Sequence, residues 1–197
     1  HSDPFLADAD HDGLNDSQER FYGTDPNNAD TDGDRAVVGG DTADDGYEVL
    51  TRHTDPLKPD VKVTFTYTDL YMSATSCGDQ DIELEGGGLF ITLPDGTDVL
   101  LVDVIGCYYE TVYGATVDLV DVSRTFILAT GESFTVHSGP FYDHDDASCA
   151  THGLDQDMGS FSQAYSYPDV TRGVKHYETA DTTVECRLRV NGIIALE

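Results

Sequence analysis

Positive charge is scarce in this chain. Ten Lys and Arg stand against 38 Asp and Glu, a formal net charge of −28 over 197 residues. That balance argues against nucleic acid as a partner, and against an anionic membrane surface unless a cation bridges the two. Long apolar runs are also missing. No stretch approaches the roughly 18 apolar residues of a membrane span, so no membrane insertion is expected. No signal peptide is visible, and the chain opens inside an acidic segment, so His1 reads as a processed N-terminus or an expression boundary. Cysteine is limited to Cys77, Cys107, Cys149 and Cys186, none in a C-x-x-C pair, which counts against a zinc ribbon or a redox motif. Four widely spaced cysteines in an acidic, Lys-poor chain predict two disulfides in an oxidising compartment. Three pairings are possible, and sequence order favours Cys77–Cys107 with Cys149–Cys186. There is no G-x-S-x-G, no H-E-x-x-H and no Gly-rich phosphate loop, so the chain is not expected to be an enzyme. No segment offers a long amphipathic helix.

What is present falls into two parts with a boundary near Asp60: residues 1–60, and a domain over 61–197. The first part is Asp-, Gly-, Pro- and Asn-rich and repeats itself. "SDPFLAD" starts at Ser2, "TDPNNAD" at Thr24 and "TDPLKPD" at Thr54. Asp before Pro is a turn former, because the Asp side chain bonds the backbone ahead while Pro fixes φ. The second part alternates. "VKVTFTY" puts Val61, Val63, Phe65 and Tyr67 on one face, and "TVECRLRV" does the same with Val184, Cys186, Leu188 and Val190. Further strands are expected in "DIELE", "GLFITL", "DVLLVDVI", "YYETVY", "ATVDLVDV", "TFIL", "SFTVHS", "SFSQAYSY" and "GVKHYET". "PDGT" at 94–97 and "NG" at 191–192 read as hairpin turns. The pattern predicts a mostly β fold: an antiparallel β-sandwich of about eight strands, with a closed barrel second. The terminal "IIALE" either pairs within its own chain or joins the sheet edge of a neighbouring copy.

The densest charge lies in "DADHDGLNDSQE", from Asp8 to Glu19. Asp8, Asp10, Asp12, Asp16 and Glu19 hold places 1, 3, 5, 9 and 12 of a twelve-residue loop, with Gly13 at place 6 for a tight turn. Alternate side chains converge on one point as such a loop curls, which is the spacing of an EF-hand type of calcium loop. Asn15 is expected to add its backbone carbonyl. A merely solvated acidic loop has no reason for this periodicity. A second loop opens with Asp30, Asp32 and Asp34, but Arg35 replaces the Gly. Seven residues around "VVGGDTA" are then inserted before "DDGYE", which supplies Asp45 and Glu48 as places 9 and 12. Asp41 and Asp44 are further candidates nearby. Calcium is the expected cofactor of both loops.

"DADHDGLNDSQERFYGTDPNNADTDGD" followed by "DGYEVLTRHTDPLKPD" resembles the thrombospondin type 3 calcium repeats of bacterial secreted and surface proteins. The resemblance covers residues 2–60. It implies an extracellular or cell-surface location and spacer-like repeats held by calcium with almost no hydrophobic core. Arg35 and the insertion depart from the pattern.

In the second part, "DHDDASCATHGLDQDMGS" (143–160) reads as a long acidic loop. Asp143, Asp145, Asp155 and Asp157 are candidate calcium ligands there, in a layout that resembles C2-type sandwiches without their sequence motif. The composite expectation is a secreted calcium-binding structural or assembly protein: a surface-layer, filament or adhesin subunit. The alternative is a calcium-dependent carbohydrate- or protein-binding module on a calcium-rigidified stalk. Expected partners are calcium ions, copies of itself, and an extracellular glycan or protein.

Overall fold

The computed structural model describes residues 8–39, 43–72, 82–103, 108–110, 116–143, 156–179 and 188–197. The chain packs as two compact units. One comprises His1–Val63, Phe126–Glu132 and Leu196–Glu197; the other comprises Thr64–Thr125 and Ser133–Ala195.

Twelve strands run in chain order among the described residues. They are β1 Val61–Met72, β2 Ile82–Gly86, β3 Leu89–Thr92, β4 Asp98–Val102, β5 Tyr108–Glu110, β6 Thr116–Leu128, β7 Ser133–Ser138, β8 Phe141–Asp143, β9 Gln156–Gly159, β10 Ser162–Ser166, β11 Gly173–Glu178 and β12 Leu188–Leu196. They form three four-stranded sheets, ordered β11-β12-β1-β6, β10-β7-β3-β4 and β5-β2-β8-β9. The fold is thus mostly β, and β3 pairs antiparallel with both β4 and β7, β2 with both β5 and β8. About eight strands were expected, and twelve are present among the described residues. "ATVDLVDV" and "TFIL" merge into the single strand β6, while the short β8 and β9 carry too few residues for alternation to show.

The predicted inward face of β1 is the buried one: Val63, Phe65 and Tyr67 are inaccessible to solvent. Opposite, Leu89 and Ile91 of β3 and Phe134 and Val136 of β7 are also buried. Fully burying a side chain of this size stabilises by about 1.5–3 kcal/mol. Three tyrosines tie the first two sheets face to face. The Tyr67 hydroxyl of β1 donates to the Phe90 carbonyl of β3 at 3.0 Å, and the Tyr177 and Tyr165 hydroxyls of β11 and β10 meet at 2.9 Å. A buried phenol needs such a partner.

Two turns were expected, and one forms. At Pro94–Thr97 the Leu93 N–H donates to the Thr97 carbonyl at 2.8 Å, and Gly96 takes a φ of 82°, joining β3 to β4. Asn191-Gly192 is not a turn. It lies inside β12, where Asn191 faces His176 and Gly192 faces Lys175 of β11. Burial continues through it at Leu188, Val190, Gly192 and Ile194. Gly192 stands at an inward position because the Phe65 ring occupies the space of its side chain: a Cβ there would lie 2.7 Å from Phe65 Cζ. The terminal strand has β11 on one side and β1 on the other: Ile193 and Ile194 pair with β11, and Glu197 exchanges backbone hydrogen bonds with Lys62, so "IIALE" pairs within its own chain.

The acidic stretch 143–160 is likewise not all loop. Gln156–Gly159 forms β9 against β8, with Tyr142 opposite Asp157 and Asp143 opposite Gln156. Asp145, Asp155 and the four cysteines, with both expected disulfides, lie outside the described residues.

In residues 8–60 burial is inverted. The buried apolar side chains described there are Leu14, Ala43 and Pro56, whereas Glu19, Asp34, Asp45, Glu48 and Asp60 are all buried. Phe21 is 82% exposed, and Leu50 and Leu57 also face solvent. A segment with carboxylates inside and aromatics outside is not held by the hydrophobic effect.

Candidate metal centres in the repeat segment

The first centre is built by a loop leading into a short helix, α1 (Asp16–Tyr22). Asn15 caps it: its side-chain oxygen accepts from Ser17 N and Gln18 N, both at 3.0 Å, and its own N–H donates to Gln18 Oε1. This capping box fixes where the helix starts. It also corrects the role expected for Asn15. Counted from Asp8, the seventh residue is Leu14; Asn15 is the eighth, and its carbonyl accepts the Glu19 N–H of the helix. Asp16 and Glu19 sit three apart on the first turn of α1 and so share a face. Gly13 has φ 101°, the tight turn expected of it. Asp8 folds over the loop, its carboxylate accepting from His11 N at 2.7 Å and Gly13 N at 3.2 Å. Asp12 accepts from Leu14 N at 2.7 Å and from Gly46 N, across the segment, at 2.9 Å.

Oxygens of Asp8, Asp10 and Asp12 lie within 4.8 Å of one another. Glu19 has no solvent exposure. Burial first, then the charges of Asp10, Asp12, Asp16 and Asp8, push its carboxyl up to about 7. Of the five acidic residues read from the spacing, Asp8, Asp10 and Asp12 are thus brought together, and Asp16 and Glu19 lie near enough for the charges to act on one another.

The second centre follows the same plan until Arg35. Asp30 Oδ1 accepts from Gly33 N at 2.9 Å and Asp34 N at 3.2 Å, and its Oδ2 from Arg35 N at 3.2 Å. Gly33 has φ 83°, matching His11 (φ 69°) at the same place of the first loop. Arg35 does not attempt the turn of Gly13. It opens a four-residue helix, α2 (Arg35–Val38), so the chain leaves the loop at this point. The inserted residues are closed by three contacts. Arg35 pairs with Asp44, Asp45 N donates to the Ala29 carbonyl at 2.9 Å, and Thr31 donates to both Asp45 oxygens, at 2.9 and 2.6 Å. Asp45 is thus held by protein donors. Asp41 lies outside the described residues.

From Asp45 a helical turn, α3 (Asp45–Tyr47), widens into a π-turn over Glu48–Arg52. Its reason is visible by alignment of the repeats. In "ERFYGT" four residues lie between Glu19 and Thr24; in "EVLTRHT" five lie between Glu48 and Thr54. The π-turn absorbs the extra residue. His53 then takes the left-handed conformation (φ 60°) that Gly23 takes in the first repeat (φ 88°). Asn, Asp and His tolerate that region better than most residues. The following Asp-Pro turn is thereby kept.

Oxygens of Asp30, Asp32 and Asp34 lie within 4.8 Å of one another, and so do those of Asp34, Glu48 and Asp60. Burial first, then Asp34 and Asp30, pushes Asp32 up to about 7. Burial first, then Asp32, Asp60, Asp34 and Asp45, pushes Glu48 up to about 9. Asp60 was not anticipated as a site residue. Its signal is the third repeat of the turn: "TDPLKPD" ends on Asp60 as "SDPFLAD" and "TDPNNAD" end on Asp8 and Asp30.

One property unites the two centres. Both oxygens of Asp10, Glu19 and Glu48, and one each of Asp16, Asp32, Asp34 and Asp60, are buried without any protein hydrogen-bond donor. Buried carboxylate oxygens without a donor cost about 1–3 kcal/mol or more each. Two such charges at the spacing seen here repel by roughly 3 kcal/mol at an effective dielectric of about 20. The all-oxygen, all-anionic donor set suits a hard divalent cation that accepts irregular geometry, which is calcium rather than zinc.

Residues 8–29 and 44–59 match the family described as the bacterial TSP3 repeat. This segment is a set of thrombospondin type 3 repeats, a calcium-binding module of extracellular proteins. The unmatched 30–43 holds Asp30, Asp32, Asp34, Arg35 and the insertion. No curated protein matches the chain. Among solved structures, human GIVD cytosolic phospholipase A2 in complex with methyl gamma-linolenyl fluorophosphonate aligns at 10% identity and TM-score 0.34, over 70% of this chain and 17% of that one. A structure described as a C2 domain aligns at 9% identity and TM-score 0.33, over 68% of this chain and 98% of that one. No described helix is long and apolar enough to cross a membrane.

Proposed function

We propose that the protein is a secreted, calcium-binding structural or assembly component of the cell exterior, a subunit of a surface layer, filament or adhesin. Catalysis plays no part in this reading. The observation that carries it is the set of buried carboxylate oxygens without donors: the repeats replace a hydrophobic core with bound ions. Asp8, Asp10, Asp12, Asp16 and Glu19 hold the first calcium; Asp30, Asp32, Asp34 and Glu48 hold the second, with Asp45 positioning the loop through Thr31. A net charge of −28 opposes association of bare chains, and bound calcium lowers that repulsion. Light scattering at millimolar calcium is expected to show an assembled particle that dissociates in chelator. A monomer under both conditions overturns assembly and favours a calcium-dependent binding module on a stalk.

Calcium uptake should release protons. The carboxyls of Glu19 and Asp32 (about 7) and Glu48 (about 9) are raised above their unfolded values. Their protonation therefore stabilises the metal-free fold at acid pH, and this contribution is lost as pH rises through about 7 and then about 9. At pH 7 the metal-free centres hold protons that an arriving cation displaces, on the order of two per chain. Calorimetric titration in two buffers of different ionisation enthalpy measures this directly. Equal enthalpies in both buffers would contradict it.

A further inference from the structure

The third Asp-Pro turn ends at Asp60, and no loop follows it, because β1 starts at the next residue. The family match also stops one residue short, at 59. Asp60 is nevertheless 3% exposed, and one of its oxygens lies within 4.8 Å of oxygens of Asp34 and Glu48. Arg52 takes its Oδ2. Its Oδ1 is buried with no donor, as are Asp34 Oδ1 and both Glu48 oxygens. The Asp60 N–H donates to Asp34 Oδ2 at 2.7 Å, which fixes the backbone of residue 60 against the second centre.

We infer that Asp60 is a direct ligand of the second calcium, so that this site is completed from outside its loop by the residue that leads into β1. The inference rests on the calcium reading of the repeats. A physical need for it is visible in the second loop. The seventh residue from Asp30 is Ala36, which lies inside α2, where a carbonyl is directed along the helix axis rather than into a loop. The corresponding residue of the first loop, Leu14, precedes its helix, whereas here the helix takes that place up, and the Asp60 carboxylate offers the second site an oxygen from outside the loop. Arg52 explains only the other oxygen of Asp60. It is shared with Glu132, whose Oε2 it meets at 2.9 Å, and that same oxygen accepts from Ala129 N at 2.8 Å. Arg52 thus orients Asp60 and leaves Oδ1 for the ion.

Calorimetric titration of the calcium-stripped full chain with calcium chloride separates the possibilities. Asp60→Asn and Asp60→Ala are expected to weaken one of two sites by about ten- to a hundredfold and leave the other unchanged. Arg52→Gln, which removes the orienting partner of Asp60 but no ligand, is expected to weaken the second site less than Asp60→Asn does and to leave the first unchanged. Circular dichroism in calcium checks that the strands persist in each variant. If the Asp60 variants titrate like the parent, Asp60 is not a ligand and the calcium reading stands without it. If Arg52→Gln weakens the site as much as Asp60→Asn, Asp60 acts only through Arg52 and the inference fails. A parent chain that takes up no calcium overturns the underlying reading itself.

Discussion

In chelator, trypsin is expected to cut the repeat segment at Arg20, Arg35, Arg52 and Lys58 while the β domain stays intact; in millimolar calcium the same bonds resist. The argument is one of magnitudes. Ordering a residue costs roughly 1–2 kcal/mol of backbone entropy. Against this, the buried apolar side chains described in residues 8–60 are Leu14, Ala43 and Pro56, together worth only about 3–6 kcal/mol. The helices do not help: α1 has seven residues and α2 four, well short of independent stability. Two calcium sites, each at a hundredfold excess over its dissociation constant, together contribute about 5 kcal/mol. Their loss raises the open population on the order of ten-thousandfold. The β domain has its own apolar interior at Phe65, Tyr67, Ile91, Phe134 and Val190 and needs no ion for it. Mass spectrometry of timed digests is the measurement. Equal resistance of 8–60 with and without calcium would sink the view that ions replace the core.

The periodic features were legible in the sequence and the non-periodic ones were not. Alternation located the buried face of β1 and that of Leu188 and Val190 in β12, because a strand with one wet side must repeat every two residues. The convergence of Asp8, Asp10 and Asp12 was legible for a similar reason, since a curling loop sets their spacing. Asp60 stood apart because it joins its centre across 26 residues from Asp34: the third Asp-Pro turn marks its position, but no acidic loop follows to show which centre it meets. Arg35 signalled a departure from the loop but not its form: its backbone opens α2, and its guanidinium closes the insertion on Asp44. Strands β8 and β9 were hidden by acidic composition, with Phe141 and Met158 as their buried anchors. Asn191-Gly192 was misread for a more instructive reason. Asn-Gly is a strong turn signal locally, yet here the glycine answers to a tertiary contact.

That contact yields the second large effect: Gly192→Val is expected to destabilise the β domain by about 2–4 kcal/mol. Two physical effects predict opposite signs here. Valine favours strands, and a glycine within a strand weakens it, so propensity alone predicts a gain of up to about 1 kcal/mol. Packing predicts a loss. A Cβ at residue 192 would meet Phe65 Cζ at 2.7 Å, Phe65 Cε2 at 2.9 Å and the Thr66 carbonyl at 3.2 Å. The phenyl ring cannot step aside cheaply. It is fully buried and stands edge-on to the Tyr67 ring at 4.7 Å, and Tyr67 is itself held by its hydroxyl on the Phe90 carbonyl. Overpacking in such a core outweighs propensity. Urea unfolding in calcium, followed by a β-sheet signal, gives the sign. The partner change Phe65→Leu identifies the cause. Alone it is destabilising because it leaves a void, but combined with Gly192→Val the two losses should sum to less than their total by about 1 kcal/mol or more, the mark of residues that share one space. A stabilised Gly192→Val variant, or strict additivity with Phe65→Leu, would show that residue 192 is glycine for some reason other than the ring of Phe65.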